Sequence, residues 1–81
     1  MKKLDLQKIR NRREELRITQ EEMARFLGYK TATGYSYIEN GRCKIDPDKL
    51  PLLSKKLQFK NIEELYSAYE NTKMVQKTNS A

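Results

Sequence analysis

The 81 residues carry 17 Lys and Arg against 11 Asp and Glu, a net charge of +6, and the excess is uneven: +5 over residues 1–44 and +1 over residues 45–81. A chain of this length supports one small domain with one core, and its basic amino-terminal half points to a polyanionic partner, nucleic acid ahead of a membrane surface. One cysteine and no histidine exclude an internal disulfide and a zinc or iron centre, and no apolar run approaches the roughly 20 residues of a membrane span.

Glycine and proline are scarce, at 3 and 2 residues, which favours helices over a turn-rich β fold. The first helix follows Asp5 as N-cap, with Leu6, Ile9, Arg13 and Leu16 on its inward stripe. Lys8, Arg10, Arg12, Glu14, Glu15 and Arg17 form its other face, expected to be solvated. Thr19 and Glu22 spell a capping box for a second helix. Met23, Ala24 and Leu27 face inward there, and Gly28 ends the helix by taking a left-handed conformation.

A third short helix follows the turn Tyr29-Lys30-Thr31, with Thr31 as N-cap, Tyr35 and Ile38 on the core side, and Gly41 as its stop. Asp46-Pro47 opens a fourth, with Asp as cap and Pro at the first helical position, and Leu50, Leu53 and Leu57 as its apolar stripe. Pro51 sits one turn in and removes a backbone hydrogen bond, so the first turn is expected to be distorted. Asn61 with Glu64 repeats the capping-box pattern for a fifth helix carrying Ile62, Leu65, Tyr66 and Tyr69. Residues 71–81 are polar and without periodicity, the pattern of a flexible tail. The expected fold is all-α: a compact bundle of five short helices, one domain over residues 1–70.

Two short helices joined by a glycine-containing turn form a helix-turn-helix corner, here at about residues 20–40. The string Thr19-Gln20-Glu21-Glu22-Met23-Ala24, then Leu27-Gly28, then Ser36-Tyr37-Ile38-Glu39-Asn40-Gly41-Arg42 resembles the Cro and phage-repressor type of helix-turn-helix domain, also called the XRE family. The likeness extends over about residues 6–69. It implies a lambda-repressor-like domain whose third helix enters the major groove of duplex DNA. On that resemblance Ala32, Thr33, Ser36 and Tyr37 face the bases and Gln20 contacts a phosphate. Asn40, Arg42 and Lys44 follow the DNA backbone, Lys30 and Thr31 enter the same surface from the turn, and Arg13 with Glu39 forms a structural bridge from the first helix to the end of the third.

Two features depart from the family pattern. Gly28 to Gly41 is one residue longer than usual, and counting back from Gly41 puts the extra residue at Tyr29-Lys30. Gly34 lies inside the recognition helix, where glycine costs about 1 kcal/mol relative to alanine; it marks either a close approach to backbone or a loosely ordered helix. The base-facing positions also lack Arg, Gln and Asn, the side chains that make bidentate contacts with guanine or adenine. Moderate specificity is therefore expected, with a share carried by Lys30, DNA shape or dimer spacing.

The resemblance implies a regulator, a repressor by type, that binds a palindromic operator as a homodimer in the cytoplasm, on the nucleoid. No membrane, cofactor, metal or small-molecule ligand is expected, and no catalytic constellation is visible. Met1-Lys2-Lys3-Leu4-Asp5 lacks the apolar stretch of a secretory leader. Cys43, between Arg42 and Lys44, reads as incidental rather than as a redox sensor. The competing expectation is a protein-interaction module of the same fold, using Phe26, Tyr29 and a Tyr66/Tyr69 surface. That reading draws on the weak base-reading face and is opposed by the basic amino-terminal half.

Overall fold

The computed structural model describes residues 3–66. Four α-helices run in chain order: α1 (Leu6–Glu15), α2 (Gln20–Leu27), α3 (Ala32–Glu39) and α4 (Leu50–Lys56). Two single 3-10 turns, Pro47–Lys49 and Ile62–Leu65, complete the helical inventory of these residues. The fold is all-α, as expected, with one α-helix fewer than the five read from the sequence.

The starts of the first three helices follow their caps. The Asp5 carboxylate accepts from the Lys8 N–H at 3.0 Å. The Thr19 hydroxyl accepts from the Glu22 N–H and the Glu22 carboxylate from the Thr19 N–H, both at 3.0 Å, a complete capping box. Thr31 accepts from the Gly34 N–H at 3.2 Å. Gly28 closes α2 at φ +91, the left-handed region open to glycine. Arg17 and Gln58 take the same region without being glycine, at φ 60 and 61, just beyond the ends of α1 and α4.

The later elements differ from the sequence expectation. Asp46 makes no side-chain cap hydrogen bond, and Pro47–Lys49 winds as a 3-10 turn before α4 begins at Leu50. Pro51 has no N–H to give the Pro47 carbonyl, which accepts from the Leu50 N–H instead, and the tighter turn results. The described part of the expected fifth helix is only the turn Ile62–Leu65, where Asn61 forms no cap and the Glu64 carboxylate accepts from the Lys60 N–H instead. Tyr66 leaves that turn extended and pairs with Leu4 in an isolated antiparallel bridge, while the Asp5 N–H donates to the Leu65 carbonyl at 2.9 Å. Tyr69 and residues 71–81 lie outside the described residues.

The core joins Ile9, Met23, Ala24, Leu27, Tyr35, Ile38, Ile45, Leu53, Leu57 and Leu65. Ala24 is 2% exposed and lies in α2, whose most extensive packing is against α3; a methyl there permits the close crossing. Ile45, unassigned in the sequence reading, is a core residue that anchors the loop between α3 and α4. A Cβ at Gly34 would stand 3.8 Å from Thr31 Oγ1 and 3.9 Å from Tyr29 Cβ. These are ordinary contacts, so no close approach within the molecule demands glycine there, and α3 is unbroken through it.

Candidate nucleic-acid interface

Position of α3 depends on one buried carboxylate. Glu39 is 2% exposed and accepts four hydrogen bonds: from Arg13 Nε at 2.8 Å, Arg13 Nη2 at 3.1 Å, the Tyr35 hydroxyl at 2.8 Å and Gln20 Nε2 at 3.0 Å. Arg10 Nε adds an ion pair at 3.5 Å. Burial opposes ionisation of Glu39, but the donors from Arg13, Gln20 and Tyr35 outweigh it and hold its pKa below the usual carboxylate range. The same carboxylate raises the Arg13 pKa, and burial followed by the bond to Glu39 raises that of Tyr35. Arg13 Nη1 also donates to the Ile18 carbonyl at 2.8 Å. One guanidinium thus joins α1, the loop before α2, and the end of α3.

With Tyr35, Ile38 and Glu39 turned inward, the opposite side of α3 faces solvent. Thr33 and Tyr37 are exposed there, and Ala32 and Ser36 are half-buried beside them. Lys30 and Thr31 are exposed at the amino end; Asn40, Arg42 and Lys44 are exposed past the carboxyl end. The connection from α2 to α3 occupies Gly28–Thr31 and α3 is continuous from Ala32, so counting back from Gly41 crosses no irregularity. At Gly41, φ +83, the chain reverses, and the Arg42 and Cys43 N–H groups both donate to the Tyr37 carbonyl, at 2.8 and 3.2 Å.

Some of these residues have further duties. Gln20 is half-buried with its amide nitrogen on Glu39, so it braces α3 from the start of α2. The Asn40 side chain accepts at Oδ1 from Arg10 Nη2 at 2.9 Å and donates from Nδ2 to the Ser36 hydroxyl at 3.4 Å. Arg10, assigned to a solvated face in the sequence reading, therefore stands at the edge of this surface. The signal was present: Arg10 precedes Arg13 by three residues, so the two share a side of α1.

The rest of that face is also engaged. Arg12 Nε donates to the Leu57 carbonyl at 2.9 Å, capping the end of α4, and Lys8 and Arg12 lie over the Phe59 ring at 5.4 and 5.6 Å. The expectation of a solvated outer face thus fails at Lys8, Arg10 and Arg12, because α1 packs beside both the end of α3 and the end of α4.

The aromatic residues of the competing reading separate. Tyr29 and Tyr66 are half-buried against the core, and Lys49 covers the Tyr29 ring at 5.2 Å. Phe26 stays 39% exposed, with Lys56 over its ring at 5.0 Å.

Two short helices, a glycine-ended corner and an outward face on the second helix, braced from behind by a buried ion pair, define a helix-turn-helix DNA-binding domain. The family model described as helix-turn-helix matches residues 9–65, and the chain belongs to that family, of the Cro and phage-repressor (XRE) type. It is a family of DNA-binding regulators. Comparison with curated proteins and with solved structures gives no significant match. No helix among the described residues is long and apolar enough to cross a membrane.

Proposed function

We propose that this chain is a transcriptional repressor that binds a palindromic operator as a homodimer, setting α3 of each protomer into the major groove. The observation that carries the reading is the outward side of α3, flanked by exposed Lys30 at one end and by Arg42 and Lys44 at the other. Cations at both ends of an exposed helix match the phosphates that border a groove, and neutralising them releases counterions. Thr33, Ser36 and Tyr37 then meet base edges, while Ala32 contributes a methyl-sized apolar contact to thymine. Two-fold pairing would space the recognition helices by one DNA turn, about 34 Å. Occupancy of an operator overlapping a promoter would exclude polymerase. Its place of work on this reading is the nucleoid.

A mobility-shift titration against duplex from the chain's own upstream region, at low and at physiological salt, tests this. Affinity that falls steeply with salt yet survives excess competitor duplex supports a sequence-specific regulator. No retardation at low salt would overturn it and leave the interaction-module alternative, with exposed Phe26 as its strongest feature.

A further inference from the structure

The outward residues of α3 offer only single hydrogen bonds and methyl contacts, so the strongest base reader has to come from elsewhere on the same surface. Arg42 has the required placement. Its backbone N–H donates to the Tyr37 carbonyl at 2.8 Å after the reversal at Gly41, which folds residue 42 back onto the last turn of α3. Its guanidinium carbon then lies 5.2 Å from the centroid of the Tyr37 ring, and Tyr37 is 40% exposed on the outward side of α3.

The chemistry of this contact matters more than its charge. A guanidinium lying over an aromatic ring is held there without using any of its N–H donors as hydrogen bonds, so the donors stay available while the ring limits where the group can sit. Among the described residues the Arg42 side chain has no carboxylate or carbonyl partner, a state it shares with Arg17, whereas Arg10, Arg12, Arg13 and Arg25 are all ion-paired. Lys44, two residues on, has no ring beneath it among the described residues and presents a point charge. The two cations after α3 are therefore suited to different tasks.

We propose that Arg42, carried on the Tyr37 ring, is the base-reading arginine of this domain, making a bidentate contact with the O6 and N7 atoms of one guanine per half-site, while Lys44 holds phosphate. This rests on the DNA-binding reading above, in which Lys30 and Lys44 still place a cation for phosphate at each end of α3, and it replaces the phosphate role given to Arg42 there and by the family resemblance. It turns Tyr37 from an independent reader into the platform that aims one.

The test is site selection from a randomised duplex pool by the full chain, followed by anisotropy titrations at two salt concentrations on the selected duplex. A second duplex carries 7-deazaguanine at the conserved guanine. Wild type should lose about tenfold or more in affinity on the 7-deaza duplex, and Arg42→Ala should bind both duplexes equally. Tyr37→Phe, which keeps the ring, should retain the guanine preference, and Tyr37→Leu should lose it at that same position. Lys44→Ala should weaken both duplexes alike and keep the preference. The inference is overturned if Arg42→Ala lowers affinity for every duplex by one factor and keeps the wild-type discrimination against 7-deazaguanine. It is also overturned if Tyr37→Leu alters a different base pair from Arg42→Ala. Failure of wild type to select any duplex would instead remove the regulator reading beneath it.

Discussion

Glu39 does more to set this surface than any residue on it. Arg13 is 8% exposed and Glu39 2%, so removing either partner leaves a buried charge without compensation, at a cost of about 3–5 kcal/mol. For a domain of this size that approaches the whole folding free energy. Glu39→Ala is accordingly expected to unfold much of the population at 25 °C, whereas a paired Arg13→Met/Glu39→Leu replacement should remain folded; urea titration followed by circular dichroism separates the two. Retention of wild-type stability by Glu39→Ala would contradict the account.

The same carboxylate has a pH signature. Its folded pKa is lowered, so its stabilisation is fully present above the ordinary carboxylate value of roughly 4.3 and is lost as pH falls through the lower folded value. Glu22, held down first by the Thr19 N–H, shifts in the same direction. The urea midpoint should therefore drop on acidification below about pH 4.5. In Glu39→Gln that acid limb should shrink without disappearing.

At the scale of single elements, two departures from ideal geometry leave stability unclaimed. Gly34 lies inside α3 with room for a methyl, its nearest contact at 3.8 Å. Gly34→Ala should stabilise by up to about 1 kcal/mol, and a thermal scan showing a lower Tm would mean that α3 needs the glycine for a reason absent from its packing. Arg17 and Gln58 hold left-handed backbone at about 1–2 kcal/mol each. Part of that is recovered on substitution, because glycine loses more freedom on folding. Arg17→Gly is therefore expected to raise Tm by a few degrees, given about 4–8 °C per kcal/mol for a domain of this size.

The whole molecule sets how charge is used. Of the basic groups in the amino-terminal half, Arg10, Arg12 and Arg13 bind other parts of the protein, and Lys8 lies over Phe59. Lys30, Arg42 and Lys44 remain exposed around one helix. Net charge thus overstates the groups left free to meet a polyanion. On the regulator reading, Lys30→Ala should reduce the slope of log affinity against log salt by about one and leave site preference unchanged. Sedimentation of the chain with and without a palindromic duplex measures the proposed pairing: a ratio of two chains per duplex is expected, and one chain per site would remove the dimer.

Local signals in the sequence were enough for the first three helices, the corner at Gly28, the all-α class and the family resemblance, because capping and 3.6-residue periodicity act within a few residues. Placement of Arg13 against Glu39 was implied by the resemblance, and Tyr35 reaches the same carboxylate within α3, four residues away; the arrival of Gln20 was not implied, since it lies on α2 and meets Glu39 only when the two helices pack. Tertiary structure alone decided three further points. It made the described part of the expected fifth helix a single 3-10 turn, with Tyr66 paired to Leu4 and Glu64 turned to the Lys60 amide. It brought Arg10 to Asn40 across 30 positions of sequence. And it laid Arg42 over Tyr37, a contact that depends on the backbone reversal at Gly41 and on the carbonyl that receives two N–H groups after it. Periodicity reports which face of a helix is apolar; it carries no information on which distant side chain a charge will meet once the faces close.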